Sequence, residues 1–498
     1  MSTYFLSKEG SDSNNGLGPD ASHATNKPWL NLSKVIGAAG FASGDICIVG
    51  PGVYRETPSV AMTSATAETQ IIGDPGNAYG FKTSGGVLVA PGDVVCTSYT
   101  TNDTTAPAAA AALTLSGRDF LTFQFLTFVG GNNSPSCINA TSTNSTNITF
   151  RDCKFICGNT ANPAITYTGL ADVASNWTIE RCVILSYGSN GIQLSLPTSS
   201  AADYDTNFQI IDCVIEVPGS NAVQVNASGA LSFKAGGVDI ADCTLVCRLS
   251  GIQTNSANLS TSIPCTVTNC VIIAGGGPAL NANTSGQITE TYNRIISGTP
   301  RTNVTAGTGS VSDMSHAPLF ELGFAQMTGF RARSFWGPMA TSPILGFGST
   351  GSPTVDILNR PRPAGGGATT KAVGAYERHD TAAQETSVTQ AGSSAIKIVG
   401  PGDHDFQINV DPASTTISIY ARYDTTHGTG SKPQVVLLAN GAIGVTTQTL
   451  TMTAAVDTWE QLTFSAQTPT AKGVVTIRLI SRSAGGAGIA YFDTLGVA

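Results

Sequence analysis

The sequence predicts an all-β protein: a solenoid of short stacked strands followed by an antiparallel β-sandwich. Three observations lead there. A cysteine-centred strand pattern recurs every 23 to 31 residues through the first part of the chain, a period typical of solenoids. Within each copy apolar residues alternate with the period of two that belongs to strands, not the 3.6 of helices. Near residue 380 the pattern gives way to strands broken by turn residues at short intervals, as an antiparallel sandwich requires.

Composition narrows the function classes. Charged residues make up only 12% of the 498 and hydrophobic residues 41%, so Ser, Thr, Asn and Gly must cover much of the surface. The net charge of −8 leaves no basic stripe for nucleic acid or anionic lipid. No apolar run approaches the ~18 to 20 residues that cross a bilayer. The opening MSTYFLSKEGSDSNNG meets Lys8, Glu9 and Asp12 before the apolar core of a signal peptide can form. The expectation is a chain folded in a bacterial cytosol and released, without a cleaved signal peptide, to a virion or other extracellular surface.

Eleven cysteines, an odd number with no C-x-x-C pair, argue against a disulfide framework, and their placement is periodic. The segments NITFRDCKFI, NWTIERCVIL, NFQIIDCVIE, GVDIADCTLV and PCTVTNCVII superpose on Cys153, Cys182, Cys213, Cys243 and Cys270, with steps of 29, 31, 30 and 27 residues. Leu126 fills the same slot in an earlier copy and Asn293 in a later one. Stacked turns then place the cysteines in an internal column of small apolar side chains, the role favoured over metal or disulfide. In phase with them run NGIQL, NAVQV and SGIQT, whose Gln193, Gln224 and Gln253 are expected to stack amide on amide.

At both ends the solenoid resembles right-handed parallel β-helix proteins of the pectin-lyase-like class. The resemblance rests on GSDSNNG at 10 to 16, Pro28-Trp29, a short helical stretch over Leu32, Val35 and Ile36, and GDICIVGPGVYRE at 44 to 56. Towards the other end it rests on HAPLFELGF, TSPILGFG, VDILNRPRP and VGAYERHD. It implies a cap over residues 1–44, a β-helix with its exit segment over 45–380, and a separate domain over 381–498. Strands such as TTISIYARY, GVVTIRLIS and GIAYFDTLGV make that domain similar to a carbohydrate-binding-module-like jelly roll. This implies sugar stacking on Tyr420, Tyr423 and Trp459, although Trp459 at the head of an alternating strand also suits the sandwich core. Asp493 is a possible ligand for a structural calcium; no other cofactor is expected.

One column carries candidate chemistry. The residue before the slot reads Asp152, Arg181, Asp212, Asp242 and Asn269 on successive turns. In pectate lyases a carboxylate at the corresponding position holds calcium, and carboxylates one solenoid step apart suit glycoside hydrolysis. Asp212 and Asp242 are the candidate pair, with Arg181 beside them. The alternative is a turn ladder, since Asp and Asn favour bends; the lyase pattern places His where this chain has cysteine. His23, His316, His379, His404 and His427 lie outside the repeats and form no spaced cluster. The expected function is a structural or adhesive surface protein of a bacteriophage particle, as capsid decoration, spike or fibre. Its partners would be other virion or surface proteins and glycans, in a threefold homo-oligomer by analogy. The alternatives are a polysaccharide lyase or glycoside hydrolase of the spike-depolymerase kind, and a glycan-binding bacterial adhesin.

Overall fold

A computed structural model describes residues 2–312 and 382–497. Gaps in the first part fall at 38–41, 61–65, 102–107, 116, 131–135, 142–144, 159–160, 170–173, 188, 198–203 and 229–234. In the second they fall at 386–394, 400–402, 411–415, 428–431, 439–443, 471–472 and 483–487. The expected exit segment over 316–380, with His316 and His379, lies outside the described residues. The chain divides into two compact units between Glu377 and Arg378.

The first unit is a right-handed parallel β-helix. Each turn of chain supplies strands to three stacks. Ile148–Arg151 pairs in parallel with Trp177–Glu180, Lys154–Cys157 with Val183–Ser186, and Ile165–Thr168 with Ile192–Pro197. The first stack is a ten-stranded sheet. The other two belong to one sixteen-stranded sheet, continuous through the long strand Val271–Asn281.

Period-two alternation decides which side chains enter the core. Ile148 and Phe150 are buried while Thr149 and Arg151 are not, and the next turn repeats this with Trp177 and Ile179. Stacking then brings like rings together. Phe123 lies 5.0 Å from Phe150 and Trp177 5.5 Å from Phe208, both stacked, an arrangement that adds to the area these rings bury.

The break in alternation before each cysteine is a one-residue corner. Asp152, Arg181, Asp212, Asp242 and Asn269 have φ of 54°, 52°, 53°, 54° and 55°, and Phe125 and Tyr292 continue the column at 56° and 55°. A left-handed residue reverses the facing of the strand, so Cys153 points inward although it lies three residues beyond Phe150. Asp and Asn adopt this conformation most readily among residues with a Cβ. A second column, Asn147, Asn176 and Asn207, turns the chain into the first sheet with φ of 54°, 51° and 48°. Their amides form a ladder, Asn176 Nδ2 donating to Asn147 Oδ1 at 3.1 Å and Asn207 Nδ2 to Asn176 Oδ1 at 2.9 Å.

The cysteine slot is internal on every turn: Cys153, Cys182, Cys213, Cys243 and Cys270 are fully buried, as are Leu126 and Asn293. All eleven cysteines are free thiols. Burial pushes the Cys213 and Cys243 thiols well above the ordinary value.

The expected helix is present at Leu32–Gly37. Leu32, Val35 and Ile36 are buried against the core, and its first turn is capped by the Glu56 carboxylate, which accepts from the N–H groups of Leu32 and Ser33. Trp29 stacks on Tyr4 at 4.7 Å. The cap already contributes to the coil, because Thr3–Leu6 pairs in parallel with Ile46–Val49 as the first strand of the ten-stranded sheet. Among the described residues no helix is long and apolar enough to cross a membrane.

The last described turns close on a buried ion pair. Glu290 Oε1 lies 2.6 Å from Arg301 Nη2 and 2.9 Å from the Gly307 N–H, while Oε2 accepts from Asn293 Nδ2 at 2.7 Å and from Ser310. Residue 307 has to be glycine: a Cβ there would sit 1.4 Å from the Glu290 carbonyl oxygen. Burial opposes the Glu290 charge, but the donors from Ser310, Gly307, Asn293 and Arg301 outweigh it and hold the carboxyl below its usual range.

The second unit is an antiparallel sandwich. Its five-stranded sheet runs in the order Ala382–Glu385, Ala395–Val399, Ile489–Val497, Ile417–Tyr423, Glu460–Thr463. The four-stranded sheet runs Asp403–Val410, Gly473–Ile480, Gln434–Leu437, Gln448–Thr451. Ile398, Ile417, Ile419, Leu462, Phe464 and Phe492 meet Val435, Leu437, Val475, Ile477 and Leu479 in one core. His427 is 1% exposed; its Nε2 lies 3.4 Å from Ser481 Oγ, and its Nδ1 has no hydrogen-bond partner among the described residues. Burial lowers its pKa from 6.5, so this group contributes stability above pH 6.5 that is lost as pH falls through that value towards the folded pKa. We expect the sandwich transition in a pH series of thermal unfolding to fall below pH 6.5, and His427→Gln to flatten that dependence; an unchanged slope would remove His427 as its source.

Candidate functional site

The corner column brings the predicted residues into register but does not present them to solvent as a pair. Asp212 is 0% and Asp242 1% exposed. Their positions follow from the left-handed corner described above, which sets each carboxylate between a first-stack strand and a second-stack strand. Both take part in further polar interactions.

Arg181 is committed elsewhere. Its Nε and Nη2 donate to the two oxygens of Asp152, each at 3.0 Å, in the bidentate geometry that gives strong charge-assisted pairs. Its Nη1 pairs with Glu180, whose other oxygen accepts from Arg151 Nε at 2.8 Å. Burial opposes the charge on Arg181, but its pairing with Asp152 and Glu180 prevails and raises its pKa. A continuous network of two arginines and two carboxylates results, with Gln124 Nε2 also donating to Asp152 at 3.3 Å. Sequence spacing missed Glu180, which stands on the outward face of the first sheet directly beside Arg151 in register. The signal was available, since residues 29 apart in this repeat are neighbours.

Side-chain amides form the other ordered polar array. In the third stack Gln193 lies beside Gln224 and Gln224 beside Gln253, the expected stacking. Behind them Asn190 and Asn221, each 5% exposed, occupy the preceding turns. Asn190 Nδ2 donates to Gln224 Oε1 at 2.8 Å and Asn221 Nδ2 to Gln253 Oε1 at 2.8 Å. The asparagines are themselves joined, Asn221 Nδ2 to Asn190 Oδ1, at 3.2 Å.

In the sandwich the three predicted aromatics do not share a face. Tyr420 and Tyr423 lie three residues apart on the strand Ile417–Tyr423, so one points outward and the other inward. Tyr423 is 7% exposed within the core, and its hydroxyl donates to the Ala454 carbonyl at 3.2 Å. Trp459 is half-buried and stands outside the core, ahead of the strand Glu460–Thr463 in which Leu462 is the buried position. Parity places it with Gln461 rather than with Leu462. Asp493 is 8% exposed and pairs with Tyr420 across the sheet. Beside it Tyr491 is 5% exposed, with Arg422 over its ring at 5.4 Å and Lys397 at 6.0 Å. Among the described residues no group of three His, Cys, Asp or Glu side chains is placed to hold a metal ion.

No family model and no curated protein matches the chain. Solved structures do. Pectate lyase Pel9A is similar over 76% of this chain and 96% of its own, at 13% identity and a TM-score of 0.42. The tailspike gp49 of Acinetobacter baumannii bacteriophage Fri1, a capsular polysaccharide depolymerase, is similar over 99% of this chain and 86% of its own, at 12% identity and a TM-score of 0.26. A family 16 carbohydrate-binding module is similar over 24% of this chain and 85% of its own, at 16% identity and a TM-score of 0.19.

Proposed function

We propose that the protein is a structural and adhesive surface component of a bacteriophage particle, a capsid decoration, spike or fibre whose β-helix serves as scaffold. The observation that carries the scaffold reading is the burial of Asp212 and Asp242. An acid or base in glycoside cleavage must reach the glycosidic oxygen or a water beside it, and these carboxylates face the interior of a corner. Arg181, the cation beside them, is already held bidentately by Asp152. Free buried thiols throughout the core suit a chain that folds in a reducing cytosol before reaching the particle surface. Other particle proteins and host glycans are the partners this reading assigns, with a homotrimer as the assembly.

The test separates scaffold from depolymerase. Asp212→Asn with Asp242→Asn keeps the shape of both corners and their left-handed backbone, so folding and particle incorporation should persist. Neither the native protein nor the double variant should release reducing ends or ultraviolet-absorbing unsaturated products from host polysaccharide. Cleavage by the native protein that falls by ~100-fold in the double variant would replace the scaffold with an enzyme.

A further inference from the structure

The third stack carries an array of hydrogen-bond donors whose direction is fixed from behind. Gln193, Gln224 and Gln253 are half-buried and point outward from consecutive turns. Their carbonyl ends are held: Gln224 Oε1 and Gln253 Oε1 each accept from a buried asparagine at 2.8 Å, and Gln193 Oε1 is 3.4 Å from Asn190 Nδ2. Gln224 Nε2 spends one hydrogen on Gln253 Oε1 at 3.3 Å. The second hydrogen, and the Nε2 groups of Gln193 and Gln253, have no acceptor among the described residues. An amide whose oxygen is anchored inward cannot flip without losing that bond, so the NH2 groups are aimed outward before any ligand arrives, which lowers the ordering cost of binding.

The row continues in register through Thr166 and Asn139 on one side and Asn281 on the other. Its pitch is the inter-strand spacing, so alternate turns stand ~9.6 Å apart, close to the disaccharide repeat of an extended β-1,4-linked chain, whose substituents on one side recur on every second sugar. None of the strands Ile138–Ala140, Ile165–Thr168, Ile192–Pro197, Val223–Ser228 and Ile252–Thr254 carries a charged residue. A polyanion would therefore be desolvated there without a counter-charge, whereas a neutral chain offering an amide carbonyl on every second sugar meets a donor on every second turn.

We propose that this amide row is a binding track for a neutral N-acetylated polysaccharide lying along the β-helix axis, its acetamido carbonyls two sugars apart accepting from Gln193 and Gln253, with Gln224 holding the row between them. The track is separate from the sandwich aromatics and holds whether or not the corner carboxylates cleave anything.

The experiment titrates the full-length protein with hexamers of β-1,4-linked N-acetylglucosamine and of β-1,4-linked glucose, which share a backbone and differ in the acetamido group. The N-acetylated hexamer should bind at least tenfold more tightly. Gln253→Glu keeps an oxygen for Asn221 and Gln224 and removes the outward donor, and should weaken that binding at least tenfold. Gln253→Met, which cannot donate and carries no charge, should do the same if both variants retain the native unfolding transition. Tyr420→Ala and Trp459→Ala should leave it unchanged. Equal affinity for the two hexamers, no binding of either, or loss of binding in the sandwich variants alone would overturn the track. Because the readout is equilibrium binding, its failure is distinct from failure of the scaffold reading, which cleavage alone decides.

Discussion

Cys243→Asp abolishes cooperative folding of the β-helix: the variant is recovered as aggregate, or unfolds with a loss above about 4 kcal/mol. Cys243 is fully buried between the Cys213 and Cys270 turns, its thiol 3.2 Å from the Ala241 carbonyl and 3.5 Å from that of Ile210. A thiol is a small, weakly polar donor that tolerates such a site. A carboxylate there faces two carbonyl oxygens and one neutral donor, the Cys213 N–H, which lies 3.4 Å from the thiol sulfur, and a buried charge with no counter-charge is among the few lesions that cost so much. Cys243→Ala sets the scale, since it removes only the sulfur and should cost about 1 kcal/mol. Native protein should also resist thiol labelling at Cys213 and Cys243. Rapid modification without unfolding, or a Cys243→Asp protein of ordinary stability, would refute the internal column.

The second large effect lies two turns further along, in the last described turns of the coil. Glu290→Ala removes the carboxylate that faces Arg301, Asn293, Ser310 and the Gly307 N–H. Breaking a buried pair from one side typically costs about 3–5 kcal/mol, because the remaining charge stays desolvated. The loss should be local, with faster amide exchange over Ile288–Thr291 and Arg294–Thr302 while the central turns keep their protection. The sign of the pH dependence follows from the lowered carboxyl. Its contribution is present above the ordinary value of 4.5 and is lost as pH falls through the folded value. The gap in stability between native protein and variant should therefore shrink in acid; a gap that stays constant down to pH 2 would show that charge at Glu290 is not what holds these turns.

Much of the fold was legible from residue spacing. The cysteine slots, the alternation around them and the Gln stack all follow from one fact, that equivalent residues of a solenoid lie one above another. The corner column was half legible. Asp and Asn pointed to bends, but Arg181, a residue with no preference for the left-handed region, holds the same φ of 52° because the turns above and below impose it. The sandwich aromatics were legible by a rule left unapplied: Tyr420 and Tyr423 stand three positions apart on one strand, an odd offset, so they cannot share its face.

What the sequence alone determined is the repeat, and with it the strands, their inward residues and the neighbours that come one period apart. The tertiary structure decided which polar groups are sealed and which remain available. Asp212 and Asp242 carry the same letter as any exposed carboxylate, and nothing in their spacing distinguishes a cleft from a closed corner. Glu290 gained its role only when Arg301, Ser310 and Gly307 turned back onto it. The outward aim of the Gln amides depends on Asn190 and Asn221 behind them, some 30 residues away along the chain. Spacing along a chain fixes which side chains stack. Solvent exposure and hydrogen-bond direction are set by every segment that folds over the stack, and these are properties of the assembled molecule.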